Sequence, residues 1–284
     1  MKKNKSNTTR DRISALPDDV IHTIFSSMDM KKVIQTSILA KRWRYLCMST
    51  PYINFRFHLE TCKKGKKIAR ARFVNFVDRF LYIREDTNIH KFSLQCEIVL
   101  RPCGIHTWLI AAIRRNVQEL SLELESNEDY FELPSNLFTS DIKVMKLEPS
   151  VNFQFVLPST FCSTAEITSL EMRRVIHPDG DSNGDVVLIR FAVLKNQIIG
   201  SCFWRYLNVL SVSTPLLEML EVVHLFDPRN KPIKLNLCTP KLKSFIYTDL
   251  YGEYNLGNLA AVFIRALYEE SECEEYTIGC SIYF

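Results

Sequence analysis

No run of about 18 apolar residues occurs in this 284-residue sequence, so the usual mark of a membrane-spanning helix is missing. Residues 1–10 carry basic side chains with no apolar stretch behind them, and a secretory leader needs one. None of the nine cysteines forms a Cys-x-x-Cys pair. An odd, scattered set is expected to be reduced and buried, acting as small apolar side chains. Soluble and intracellular, in nucleus and/or cytoplasm, is the resulting expectation.

Catalytic signatures are missing as well. The chain contains no His-Glu-x-x-His, no Gly-x-Gly-x-x-Gly, no phosphate loop and no Gly-x-Ser-x-Gly. His22, His58, His90, His106, His177 and His224 are isolated from one another in sequence. Asp179 to Asp185 imitates the opening of a calcium loop, but its twelfth position is Arg190, where a bidentate glutamate is needed. A surface turn explains it better. Arg114-Arg115 and Arg173-Arg174 read as surface rather than as a phosphate site. A net charge of +4 is too small and too dispersed to mark a nucleic-acid binder. The expectation is no enzyme, no cofactor, no metal, no nucleic acid and no membrane.

Hydrophobic residues are 46% of the chain, enough for a substantial core. Residues 1–10 read as a disordered tail. Residues 13–48 read as consecutive short helices. Ser14 can cap the first, with Pro17 just inside it and Asp18 and Asp19 at its positive end. Ile21, Ile24, Phe25 and Met28 follow helical spacing. A break at Asp29-Met30 precedes a second helix from Lys31 to Ala40. Lys41 to Leu46 continues helically until Pro51. So short a module cannot bury its own apolar stripe, which must meet the rest of the chain or a partner.

A connector with the basic run Lys63 to Lys67 follows, read mainly as a solvated loop. Helices are expected at Ala69–Arg84 and at about Ile105–Asn116. From residue 117 a leucine-rich rhythm sets in. Val117–Leu124, Ile142–Leu147 and Ile167–Met172 recur about every 25 residues, the spacing of leucine-rich repeats. Leu207–Val212, Leu217–Val222 and Leu242–Tyr247 read as further copies. Each unit turns its apolar residues into a core shared with its neighbours. The copy at Ala192–Ile199 is poor, because Gln197 stands where a leucine is expected. This turn is either irregular or shifted in register.

Asp11-Arg-Ile-Ser-Ala-Leu-Pro-Asp-Asp-Val-Ile-His-Thr-Ile-Phe25, followed by Thr36-Ser-Ile-Leu-Ala-Lys-Arg-Trp-Arg-Tyr-Leu46, resembles an F-box. In particular it is similar to the plant F-box/leucine-rich-repeat proteins of the FBD-like group. Segments around Asn116–Leu122, Tyr130–Phe138 and Leu207–Leu220 extend the likeness over most of residues 11–250. Met28-Asp29 and Cys47-Met48 depart from the family, which often has Leu-Pro and Leu-Trp there.

The resemblance implies an α/β fold: a three-helix F-box module, then a short solenoid with a curved parallel sheet. The organisation it suggests is a tail at 1–10, F-box at 11–50, connector and helical lead-in at 51–116, and repeats at 117–250. Residues 251–284 would be irregular, with the family's further carboxy-terminal domain missing or cut short. It further implies that Leu16, Pro17, Val20, Ile21, Ile24 and Phe25 face a Skp-type adaptor. Leu39, Trp43 and Leu46 would do the same or hold the three helices together. The implied role is the substrate-recognition subunit of a cullin-RING ubiquitin ligase, with an unknown protein target on the repeats. A scaffold that no longer engages the ligase is the alternative, and a small-ligand receptor is a third.

Overall fold

The computed structural model describes residues 15–38, 40–58, 65–125, 130–150, 153–158, 161, 166–177, 186–202, 207–223, 233–248, 253–255 and 263–266. Three helices open the chain: α1 (Asp18–Ser26), α2 (Met30–Thr36) and α3 (Lys41–Ser49). Pro17 stands at the cap position of α1, one place earlier than its sequence suggested, and no side chain caps that helix. Asp18 and Asp19 in the first turn supply the negative charge that a helix start favours. Asp29 caps α2, its carboxylate accepting from the Lys31 N–H at 3.2 Å. The continuous second helix expected to Ala40 stops at Thr36 instead. Ala40 is fully extended, at φ −154° and ψ 152°, so α3 is a separate helix.

Segment 51–116, read as a connector with helices, also contributes two strands. β1 (Tyr52–Phe57) pairs in parallel with β2 (Lys91–Val99), and α4 (Lys66–Ile83) crosses between them. α5 (Pro102–Ile113) leads from β2 to β3 (Glu119–Glu125), the first strand that the sequence rhythm revealed. Pro102 sits in the first turn of α5, where its missing N–H costs nothing. Asn116, just beyond α5, takes φ 54°, a left-handed conformation asparagine tolerates well. The indole Nε1 of Trp108 on α5 donates to Asp78 of α4 at 2.6 Å. Phe55 of β1 meets Phe76, Phe80 and Phe92 edge-on, at 5.6–6.1 Å between ring centres.

The remaining strands are β4 (Tyr130–Glu132), β5 (Val144–Pro149), β6 (Gln154–Val156), β7 (Ser169–Arg173), β8 (Val175–Ile176), β9 (Val186–Ile189), β10 (Asn196–Gly200), β11 (Val209–Val212), β12 (Met219–Val223), β13 (Lys234–Leu237), β14 (Ser244–Thr248), β15 (Glu253–Asn255) and β16 (Phe263–Ala266). Among the described residues nine strands form one sheet, in the order β1-β2-β3-β5-β7-β10-β12-β14-β16. Every pairing in it is parallel. Two smaller parallel sheets, β4-β6-β8 and β15-β13-β11-β9, alternate with it along the chain. Their apolar residues and those of the large sheet belong to one buried cluster. The repeat is thus a mixed α/β layer structure: helices back the sheet early, short strands later.

This arrangement corrects one reading of the rhythm. Leu207–Val212 is not a further copy of the first three; it forms β11, in the second layer. Both layers present alternate residues to one core, so both carry the same leucine spacing, and the sequence cannot tell them apart.

The weak copy is also resolved. Phe92, Leu120, Met145, Leu170, Gln197, Leu220 and Phe245 occupy one continuous row across the sheet. Gln197 is fully buried in the leucine position, with its register intact. The irregularity lies in the loops. Ser169 pairs with Asn196 and Asn196 with Met219, so one step is longer and the next shorter than the regular spacing.

Candidate functional site: an exposed helical face and a polar sheet face

Helical spacing divides α1 into two stripes. Ile21 and Phe25 point inward and are fully buried. Pro17, Val20 and Ile24 lie on the other stripe and are exposed, Val20 by 42% and Ile24 by 38%. Leu16 is half-buried against the core. Trp43 and Leu46 of α3 are buried, with Trp43 edge-on to Phe25 at 5.6 Å. Cys47, in the departure from the family pattern, fills core space and donates its thiol to the Val33 carbonyl at 3.0 Å. Burial pushes that thiol pKa up.

The nine residues assigned to one docking face therefore separate. Ile21, Phe25, Trp43 and Leu46 are buried in the core of the structure. Pro17, Val20 and Ile24 are available to a partner, and Leu16 is partly so. Leu39 lies outside the described residues. Two exposed residues were missed: Ile38, 85% exposed in the turn after α2, and Tyr45, 70% exposed on α3. Their signal was present, since Ile38 and Tyr45 are apolar side chains in a helical segment too small to enclose them. Val20, Ile24, Ile38 and Tyr45 are four of the nine exposed large hydrophobics among the described residues. Val20 and Ile24, one helical turn apart, make a contiguous apolar strip of the kind a partner covers.

The module is joined firmly to the sheet. Helices α1 and α2 pack on β1, its end strand. Arg84, at the end of α4, is buried and reaches back to α3. Its guanidinium donates to the Thr50 carbonyl at 2.6 Å and the Met48 carbonyl at 3.4 Å. The same group donates to Thr87 O, Thr87 Oγ1 and Asn88 O at 2.9–3.2 Å. Burial, with Arg115 nearby, lowers its pKa to about 10, which leaves it charged at neutral pH. Asp18 and Arg42 form a further ion pair between α1 and α3.

The solvent side of the large sheet is polar in its first half. Asn54, Ser93, Ser121, Lys146, Glu171, Ile198, Glu221 and Ile246 form one row across it. Lys146 bridges Glu148 at 2.8 Å and Glu171 at 3.5 Å, while Arg173 holds Glu171 at 2.9 Å and reaches Glu221 at 4.0 Å. The hydrogen bond from Lys146 holds the Glu148 carboxyl below its usual range. Arg173 crosses β10 at Gly200, where a Cβ would stand 3.2 Å from its Cγ. Past β10 the face is mixed: half-buried Met219, Val223 and Ile246 alternate with Glu221, Ser244 and Thr248, and Ile198 stands on β10 itself.

No group of three or more His, Cys, Asp or Glu able to hold a metal occurs among the described residues. No helix of the described residues is long and apolar enough to cross a membrane. The calcium-like stretch 179–185 and His224 lie outside the described residues. His58 pairs with Glu97 at 2.8 Å and His90 with Gln118 at 3.0 Å, so each meets a surface polar group. Of the cysteines described, Cys47, Cys96 and Cys202 are buried as expected, whereas Cys103 and Cys238 are exposed.

A compact helical module with an outward apolar strip, fixed to a parallel repeat array, is a two-ended protein. Residues 13–53 match the F-box domain, so the module is an F-box. Over 90% of its length the chain is similar to an F-box protein of Arabidopsis thaliana, 31% identical across 55% of that protein. It is 28% identical to an Arabidopsis F-box/LRR-repeat protein, again over 90% of this chain and 54% of the relative. An Arabidopsis F-box/FBD/LRR-repeat protein is also 28% identical, over 93% of this chain and 62% of its own length. The chain spans little more than half the length of the first of these relatives. The F-box and the leucine-rich-repeat resemblance are thus both supported across the chain.

Proposed function

We propose that this chain is the substrate-recognition subunit of an SCF-type, cullin-RING ubiquitin ligase. The F-box binds a Skp-type adaptor, and the repeat array binds a protein target. The observation that carries this reading is the exposed strip Pro17, Val20 and Ile24 on an F-box helix whose other face is core. The rigid junction at Arg84 and β1 supports it, because a target held on the sheet keeps a fixed position relative to the adaptor. The protein performs no chemistry itself. It raises the effective concentration of the target near a ubiquitin-charged enzyme. The target meets the solvent face of the sheet, where the charged cluster of Lys146, Glu171, Arg173 and Glu221 adjoins Ile198 and Ile246. The protein works in the nucleus and/or cytoplasm.

The test is retention of the chain on purified, immobilised Skp-type adaptor. Wild type is retained. Val20→Asp combined with Ile24→Asp is lost while its circular dichroism and melting curve stay unchanged. Failure of wild type to bind, or undiminished binding of the double variant, sinks the reading. A repeat scaffold detached from the ligase then takes its place.

A further inference from the structure

A second surface lies between the helical module and the sheet, beginning where the strip on α1 ends, at Ser27 and Met28. The end of α1, the start of α2, the end of β1 and the first turns of α4 enclose a cleft of about 880 Å³. Its apolar side is Met28, Phe57, Phe73 and Phe76. Its polar side carries four fixed cations, Lys31, Lys32, Arg56 and Arg72, against one carboxylate, Asp29. That carboxylate is already engaged by the Lys31 N–H as the cap of α2. All four cationic side chains are exposed. Lys31, Lys32 and Arg72 have no carboxylate partner among the described residues, and Arg56 reaches only the Asn54 amide, at 3.3 Å. Elsewhere on the chain, on the sheet face, Lys146 and Arg173 are each tied to glutamates. The cleft thus gathers unneutralised positive charge in a chain whose net charge is only +4.

The two sides select the ligand. Cations on a rim attract carboxylates and steer them in from solution. An apolar floor recovers free energy only if an apolar group covers it. Stacked bases fit poorly here. Phe57 is already edge-on to Phe73 at 5.2 Å and Phe76 to Phe55 at 5.8 Å, so these rings offer a packed wall rather than free stacking faces. The volume lies in the range that encloses a sizeable ligand, far beyond a single phosphate.

We propose that this cleft is a docking site for an acidic segment of a partner protein, one bulky apolar side chain seated on the phenylalanine floor between flanking carboxylates. Pro17, Val20 and Ile24 do not line the cleft, and the proposal does not depend on the ligase reading.

The full-length chain is titrated with a fluorescent peptide of glutamates flanking a single phenylalanine, read by anisotropy. The expected result is saturable binding that weakens at least tenfold when the peptide's phenylalanine becomes serine. A loss at least as large is expected for Lys31→Glu combined with Arg72→Glu, both surface changes that leave the melting curve in place. The same variant still binds the Skp-type adaptor if the ligase reading holds, so the two ideas fail separately. Equal binding of the serine peptide would overturn the proposal, since charge alone would then explain it. Unchanged binding by the double variant would place the peptide elsewhere. A single-stranded oligonucleotide of matched charge that binds more tightly than the peptide would also overturn it.

Discussion

Gln197 occupies a leucine position with no exposure, and neither its amide nitrogen nor its amide oxygen has a hydrogen-bond partner among the described residues. A buried amide without partners costs about 1–3 kcal/mol, so Gln197→Leu should raise the unfolding free energy by that order. Urea denaturation measures it; a fall in the midpoint would mean that the amide is satisfied in solution. His177 carries a different cost. It is buried against Phe161, at 5.3 Å between ring centres, and burial lowers its pKa to about 3. The folded pKa lies below the unfolded value near 6.5, so the unfolded chain takes up the proton first. The stability present above pH 6.5 is therefore lost as pH falls, by roughly 2 kcal/mol between pH 6.5 and 5. Thermal melts across that window should show the slope, and His177→Phe should flatten it. Among the thiols, Cys103 and Cys238 should react quickly with iodoacetamide. Cys96 and Cys202, both pushed to about 12 by burial, should stay unmodified until the chain unfolds, as peptide mass spectrometry can check.

At the scale of elements, α1 shows how one helix serves two masters. Substituting Phe25→Ala removes a ring packed on Trp43 inside the module and should cost about 3–5 kcal/mol. Substituting Val20 or Ile24 should leave stability within about 0.5 kcal/mol. Arg84 bridges elements rather than filling one. Arg84→Met would leave the carbonyls of Met48 and Thr50 without their donor and should destabilise by roughly 2–3 kcal/mol, read as a lowered melting temperature. The helical periods of α1, α4 and α5 and the alternation of β3, β5, β7, β12 and β14 were legible in the sequence, because each follows from one buried face. β1 and β2 were not recognised, since they precede the regular rhythm and are separated by a whole helix. The inward role of Ile21 was not separable from the outward role of Ile24. Both are isoleucines on one apolar arc, and only the position of α3 and β1 decides which faces in.

For the whole molecule, parallel strands of similar length stack along one direction, and each unit buries its core against its neighbours. On the solvent face of the sheet the charged cluster Lys146, Glu148, Glu171, Arg173 and Glu221 lies beside the half-buried Ile198, Met219, Val223 and Ile246. On the proposed reading, salt should weaken target contacts made at Lys146 and Arg173 more than those made at Ile198 and Ile246. The sequence could not locate this cluster, because it arises only when residues about 25 positions apart are brought side by side.

A parallel sheet of this kind ends on a strand whose outer hydrogen-bonding edge invites another chain. Here α1 and α2 lie on β1, the first strand of the stack. The F-box is thus also the terminal lid of the array. Cutting it away to isolate the repeats would uncover the side of β1 on which α1 and α2 pack, and the remnant should self-associate. On the proposed reading, a variant that holds a target without delivering it is better made by charging Val20 and Ile24 on an intact chain.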